Sequence, residues 1–435
     1  MKTHIIIPLV LCLIALAGCR VTEEKIELWK STQKGPKKLA GVLIDAEQDM
    51  ALRAKAVVAL TEIKEQALLS EAFGKIDAAD GDAVIAAAAP MLAAIADGRP
   101  GEEDSLDAAQ VAAKDGLFLL YDHAGKKSRQ LVADALIKWC TTGNFAARER
   151  AGFTIRVIVQ KLGAPALQAL SNQLTIDQPA IKPIADLLRQ SGDEKILAQA
   201  SAHLAAQLSE HPDRLAESHL MAAAVIGGAP VADTLVRFAT DSTLGAELQR
   251  YALRTYSVAL DEKNIRGTAA QVAQLAAMAS NPATDRYHRE ETWMTLAQVN
   301  LPESAAALLP LLRDSESFWR LVGARCLLRL DGKAHVTAVL NQATSGRDEE
   351  EVSALVDVVA RFPMLKDSLV EIAAAGPSPV ARGIALLALP RIGTPADIDT
   401  LKKWTGDRQR LPAGFAHRTV GDAAGAAIVA LEKRG

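Results

Sequence analysis

From Lys37 onward, apolar residues recur three and four positions apart in runs of 10 to 18 residues, and short breaks carrying Gly, Pro, Asp or Asn close each run. That spacing puts the apolar side chains on one face of a helix, so the chain predicts helices joined by turns. "KKLAGVLIDA", "ESAAALLPLLRD" and "MLKDSLVEIAAAG" each read as one helix followed by a second. Pro90, inside "DAVIAAAAPMLAAIAD", is expected to kink its helix or divide it in two. "DGRPGEEDSLD", residues 97–107, reads as a loop inserted between helices.

The N-terminus has a different pattern. Lys2 precedes the unbroken apolar stretch "IIIPLVLCLIALAG", which ends in small residues and gives way to the polar "RVTEEKIELWK". Fourteen apolar residues fall short of the ~20 a membrane-spanning helix needs, and the layout is that of a secretory signal peptide. Residues 20–38 are expected to form a short amphipathic helix, a break at Gly35-Pro36, and a basic patch of Lys37 and Lys38 suited to lipid head groups.

Such a rhythm calls for a repeat search. Six segments superpose: "LRAKAVVAL" from Leu52, "ARERAGFTI" from Ala147, "LQRYALRTY" from Leu248, "HREETWMTL" from His288, "WRLVGARCL" from Trp319 and "ARGIALLAL" from Ala381. Their fifth residues are small: Ala56, Ala151, Ala252, Thr292, Gly323 and Ala385. Four positions on, the same helical face carries Leu60, Ile155, Tyr256, Leu296, Leu327 and Leu389, so a neighbouring helix can approach at the small residue beside a bulky one. The second position is Arg53, Arg148, Arg289, Arg320 and Arg382, with Gln249 in the remaining copy.

Paired helices with a turn Asp and then x-Arg-x-x-small resemble HEAT repeats. The clearest copy is Glu303 to Leu330, with Asp314 in the turn and Arg320 opening the second helix. The resemblance covers residues 37–432, most weakly between about 75 and 240. It implies an all-α, right-handed α-α superhelix of roughly nine to ten helix pairs, with a ladder of turn aspartates and arginines. That ladder is in doubt at Gln249 and at "GPSPVAR", where no Asp precedes Arg382.

Leu16, Ala17, Gly18 and Cys19, at the end of the apolar stretch, resemble the lipobox of bacterial lipoproteins. The resemblance implies cleavage after Gly18 and acylation of Cys19, which would anchor the chain without a transmembrane helix. Arg20 stands where that pattern has Asp for inner-membrane retention, so the outer membrane is favoured, with the protein facing the periplasm or the surface. The expected organisation is a signal peptide over residues 1–18, a lipidated tether over 19–36 and a HEAT-like array over 37–435. The alternative is a plain signal peptide cleaved earlier, with a soluble product.

Composition agrees with an all-α chain: hydrophobic residues make up 49% and aromatics 4%, with Ala and Leu in excess over β-branched residues. A formal net charge of −3, with both signs interspersed, provides no field for nucleic acid, so no such partner is expected. Cys140 and Cys326 read as buried small hydrophobes rather than a disulfide.

The chain carries few residues in catalytic or metal-binding patterns. "STQK", Ser31 to Lys34, matches the S-x-x-K of penicillin-binding enzymes, but no K-T-G follows. His203, His211 and His219 recur every eight residues, which does not return to one helix face, and Pro212 interrupts them. "GRDEEEV" reads as a helix start and "EEDSLD" lacks the spacing of a calcium loop. No catalytic residue, cofactor, metal or small-molecule substrate is expected. Phe318, Trp319 and Trp404 are the candidate anchors for a protein partner, because aromatic side chains and Arg dominate interface energetics. The expected function is a membrane-anchored, non-catalytic interaction scaffold. The alternative is a HEAT-like enzyme or small-ligand-binding protein of the bacterial cell envelope.

Overall fold

The computed structural model describes residues 20–98, 106–142, 145–149 and 154–433. Cys12, the apolar leader, Leu16 to Cys19 and residues 99–105 of the expected loop lie outside the described residues. The chain divides into two compact units at residues 203 and 204. Regular structure in the described residues is helical, apart from one antiparallel bridge between Arg410 and Thr419. The fold is all-α.

In the first unit the helices are α1 (Glu23–Lys30), α2 (Gly35–Ile44), α3 (Met50–Glu62), α4 (Gln66–Phe73), α5 (Ala78–Asp97), α6 (Ala108–His123), α7 (Lys126–Thr141), α8 (Phe145–Glu149), α9 (Ile155–Leu162), α10 (Ala164–Ser171) and α11 (Ile181–Ser191). α12 (Glu194–Glu210) contains the boundary. The second unit continues with α13 (Glu217–Ile226), α14 (Ala229–Thr240), α15 (Ala246–Asp261), α16 (Ala269–Ser280), α17 (Arg286–Val299), α18 (Pro302–Leu308), α19 (Ser317–Gln342), α20 (Glu349–Val359), α21 (Lys366–Ala375), α22 (Pro379–Ile392), α23 (Ile398–Lys402) and α24 (Val420–Glu432). α19 bends at Asp331, whose φ of −152° and ψ of 91° are not helical. α14 packs on α15 and α16 on α17, while α14 with α16 and α15 with α17 pack as next-but-one helices, so the apolar stripes of these four are covered twice.

The superposed segments account for that packing. Ala56, Ala252, Thr292, Gly323 and Ala385 are all buried, as are their partners Leu60, Tyr256, Leu296, Leu327 and Leu389. A Cβ on Gly323 would lie 2.6 Å from the Cβ of Leu311, so that contact requires glycine. The copy from Ala147 departs from the pattern: Thr154 caps a new helix at Ile155, so Ile155 does not continue α8. Thr154 accepts the Val157 N–H and so caps the start of α9.

The arginines of the second position cap backbone carbonyls, and Arg53 and Arg382 also pair with the carboxylates of Asp80 and Asp407 further along the chain. Arg53 Nε donates to Leu43 O, Arg148 Nη1 to Trp139 O, Arg289 Nε to Ala279 O and Arg382 Nε to Ala373 O. Each satisfies a carbonyl near the C-terminal end of the preceding helix, where backbone acceptors lack partners and cations are favoured. Gln249 keeps the role by donating to Asp241 O and Leu244 O. Arg320 instead reaches Ala343 O and the Glu351 carboxylate. Asp314 accepts the Glu316 N–H and meets Arg320 only through its backbone carbonyl, so the Asp–Arg carboxylate ladder is absent at the clearest copy.

Part of the stretch expected to be a tether is folded. Ile26 is 1% exposed, Lys30 bonds Glu62 at 2.7 Å, and Gly35-Pro36 opens α2 rather than only interrupting the chain. A Cβ on Gly35 would lie 1.7 Å from Trp29 O, which explains the glycine. Pro90 does not divide α5, which runs unbroken from Ala78 to Asp97 because Val84, Ile85, Ala88, Ala89 and Leu92 are all buried. This helix is long and apolar enough to cross a membrane, yet it packs on α3, α6 and α7.

Candidate binding groove

In the second unit the outward faces of α15, α17, α19 and α20 line an open groove. One opening of about 520 Å³ lies among Glu247, Arg250, Tyr251, Arg254 and Tyr287. A second, of about 270 Å³, shares Arg254 and Tyr287 and extends to Glu290, Met294 and Gln298. A third, of about 290 Å³, shares Glu290 and continues along Phe318, Leu321, Arg325, Asp357 and Arg361. Shared walls make the three one surface.

The helix periodicity places these residues. Ala252, Leu253 and Tyr256 point α15 into the core, which leaves Arg250, Tyr251 and Arg254 on its free side. On α17, buried His288, Thr292 and Trp293 do the same for Tyr287, Glu290 and Glu291. Burial holds the His288 imidazole below its ordinary range, so it is a neutral core residue.

Several charges along the groove are paired from helix to helix. Arg254 reaches Glu291 at 3.9 Å, Arg325 reaches Glu290 at 2.5 Å, and Asp357 pairs with Arg391 of α22. Ser257 donates to Gln298 at 2.5 Å in the same row. Hydrogen bonding to Glu291 raises the Tyr287 hydroxyl above its usual range, so the phenol stays protonated as a donor. The surface therefore presents aromatic rings and aliphatic side chains among charges of both signs, some of them paired across helices.

The three aromatic candidates part company. Phe318 stays in the groove, with the Arg286 guanidinium 3.7 Å from its ring centroid. Trp319 turns into the core at 3% exposure, edge-on to Phe318 at 4.9 Å and under Arg289 at 4.3 Å. Trp404 is half-buried in the turn after α23 and is not part of the groove lining. Trp319 thus serves packing, because adjacent residues on a helix cannot share a face. Tyr251, Tyr287 and Arg254 were not singled out from sequence. Their signal was an aromatic or Arg just outside the buried stripe, which only neighbouring helices turn into a surface.

Other candidates sort simply. Among the described residues no three His, Cys, Asp or Glu side chains converge as a metal site, and His219 Nδ1 accepts the Ala216 N–H as a helix cap. Asp348 accepts the Glu350 and Glu351 N–H groups, so "GRDEEEV" opens α20 as expected. Cys140 and Cys326 are free and buried, and burial pushes both thiols up to about 12.

No protein-family model matches the chain, and no curated protein matches it either. Among solved structures, the crystal structure of Kap121p overlays 97% of this chain with 48% of its own, at 10% identity and a TM-score of 0.29. The karyopherin Kap121p bound to the SUMO protease Ulp1p gives 97% and 47%, 11% identity and 0.29. Kap121p bound to Pho4p gives 97% and 45%, 12% identity and 0.19. The chain spans about half the length of these proteins, and overlays this loose carry no inference about its function.

Proposed function

We propose that this protein is a non-catalytic interaction scaffold that receives a partner protein in the groove of residues 247–361 and is held at a bacterial membrane by acylated Cys19. The groove carries the first part of the reading. It is open and continuous across four helices, several of its charges are paired, and Tyr251, Tyr287, Phe318 and Met294 lie among arginines. That is the composition of protein interfaces, in which Tyr, Phe, Met and Arg are enriched. A polyanion would find no unbroken positive surface there.

The anchor rests on Leu16, Ala17, Gly18 and Cys19 at the end of an apolar leader, and on the outer membrane being favoured by Arg20. Two or more acyl chains, at ~0.8 kcal/mol per buried CH₂, make attachment effectively permanent.

Both parts can be tested in cells. A photo-crosslinking amino acid at Tyr287 should give a discrete adduct with another protein, whereas the same residue at Leu131 of α7 should not. Equal adducts at both positions, or none at Tyr287, would refute the groove. Labelled palmitate should enter the wild-type chain and not Cys19→Ala, which should leave the membrane fraction or persist as precursor. Unchanged labelling and retention would refute the anchor.

A further inference from the structure

Between α23 and α24, residues 403–419 leave helical structure and fold as a narrow ribbon. Arg410 bridges Thr419, the Leu411 N–H donates to Arg418 O at 3.0 Å, and the Val420 N–H donates to Gln409 O at 2.9 Å. The ribbon is fastened from below. Arg382 pairs with Asp407 at 2.7 Å and donates to Gln409 Oε1 at 2.8 Å. A Cβ on Gly383 would lie 2.6 Å from Phe415 and 2.8 Å from Leu411, and one on Gly346 would lie 2.9 Å from Phe415. Two glycines thus form the seat of one buried phenylalanine.

Asp407 and Leu411 are half-buried against the helices beneath, whereas Arg408 and Arg410 are exposed, as is Gln409 despite its bond to Arg382. Lys403 before them and Arg418 on the returning strand are exposed as well. None of these four cations has an ion pair among the described residues, whereas Asp407 is neutralised by Arg382 and Lys402 pairs with Asp399. Four exposed cations without an ion pair thus fall within residues 403–418 of a chain of net charge −3, while Gly414, further along the ribbon, packs on Asp348 at the acidic start of α20.

We propose that the ribbon is a docking site for an acidic segment of a partner protein, with Arg408 and Arg410 each holding one carboxylate. Alternate residues of an extended peptide stand about 6.7 Å apart, and Arg408 and Arg410 are themselves alternate residues of the ribbon. A guanidinium grips a carboxylate through two parallel hydrogen bonds, which a lysine cannot do. A bilayer suits the patch less well, since none of the exposed large apolar residues falls within the ribbon to enter a membrane interface. The site is separate from the groove and does not depend on it.

The probe is a fluorescein-labelled peptide of alternating Glu and Ser, titrated by anisotropy against the detergent-solubilised full chain at low salt. R408A/R410A should weaken binding by about tenfold or more, and R408K/R410K by several-fold, while Y287A should leave it unchanged. R408E/R410E should instead bind a peptide of alternating Arg and Ser. Circular dichroism melting of each variant monitors folding, which these exposed positions should preserve. No binding by the wild type, equal binding by R408A/R410A, or preference for phosphatidylglycerol vesicles over the peptide would overturn the proposal.

Discussion

Arg53 grips Asp80 at two points, Nη1 to Oδ1 at 2.7 Å and Nη2 to Oδ2 at 2.5 Å, while its Nε caps Leu43 O. One guanidinium so joins the end of α2, the start of α3 and the start of α5, and it is only 2% exposed. Removing it strands a carbonyl and a partly buried carboxylate together. Arg53→Ala should therefore destabilise the protein by about 2–4 kcal/mol, measured as a lower denaturant midpoint. A loss under ~0.5 kcal/mol would show that the pair is incidental.

The same pair sets an acid response. Hydrogen bonding from Arg53 holds the Asp80 carboxyl below the ordinary carboxylate range. A depressed folded value means that the stabilisation is present above the unfolded value of about 3.9 and is lost as pH falls through the lower folded one. Below about pH 4 the melting temperature of the wild type should fall more steeply than that of Asp80→Asn. Parallel curves would assign the acid sensitivity elsewhere.

Phe318 and Trp319 should separate cleanly under truncation. Trp319→Ala empties a core position and should cost about 3–5 kcal/mol of stability, which also makes it a poor probe of binding. Phe318→Ala should cost less than ~1.5 kcal/mol while reducing crosslinking from Tyr287. The reverse order in thermal melts would contradict the packing described for α19.

Cys140 and Cys326, with thiols pushed up to about 12 by burial, carry almost no thiolate at pH 8. In a chain with Cys12 and Cys19 replaced by Ser, a thiol reagent should label them only after denaturation. Rapid labelling of the native protein would identify one as reactive.

Gly383→Val should expel Phe415 from its seat and free the ribbon without unfolding the helices. Trypsin would then cut after Arg408 or Arg410 at lower enzyme concentration than in the wild type, with the far-ultraviolet circular dichroism spectrum preserved. Unchanged digestion would mean that the ribbon holds its place without Phe415.

The helical class and the register of the second helices outside the copy from Ala147 were legible in the residues alone, because a periodicity of three and four residues is written locally. Ala56 with Leu60 and Gly323 with Leu327 could be read as buried pairs from their spacing alone, and all four are buried. The sequence also marked the arginine positions, but not their partners. Arg320 meets Glu351 and Arg325 meets Glu290, each more than thirty residues away, and those pairings depend on how one helix lies against the next. The same reason separates Phe318 from Trp319 and gathers Tyr251, Tyr287 and Phe318 into one surface. The ribbon was hidden more deeply. Nothing in the order of residues 403–419 shows that Arg382 holds Asp407 or that Gly346 and Gly383 seat Phe415, and only that packing fastens the ribbon that carries Arg408 and Arg410.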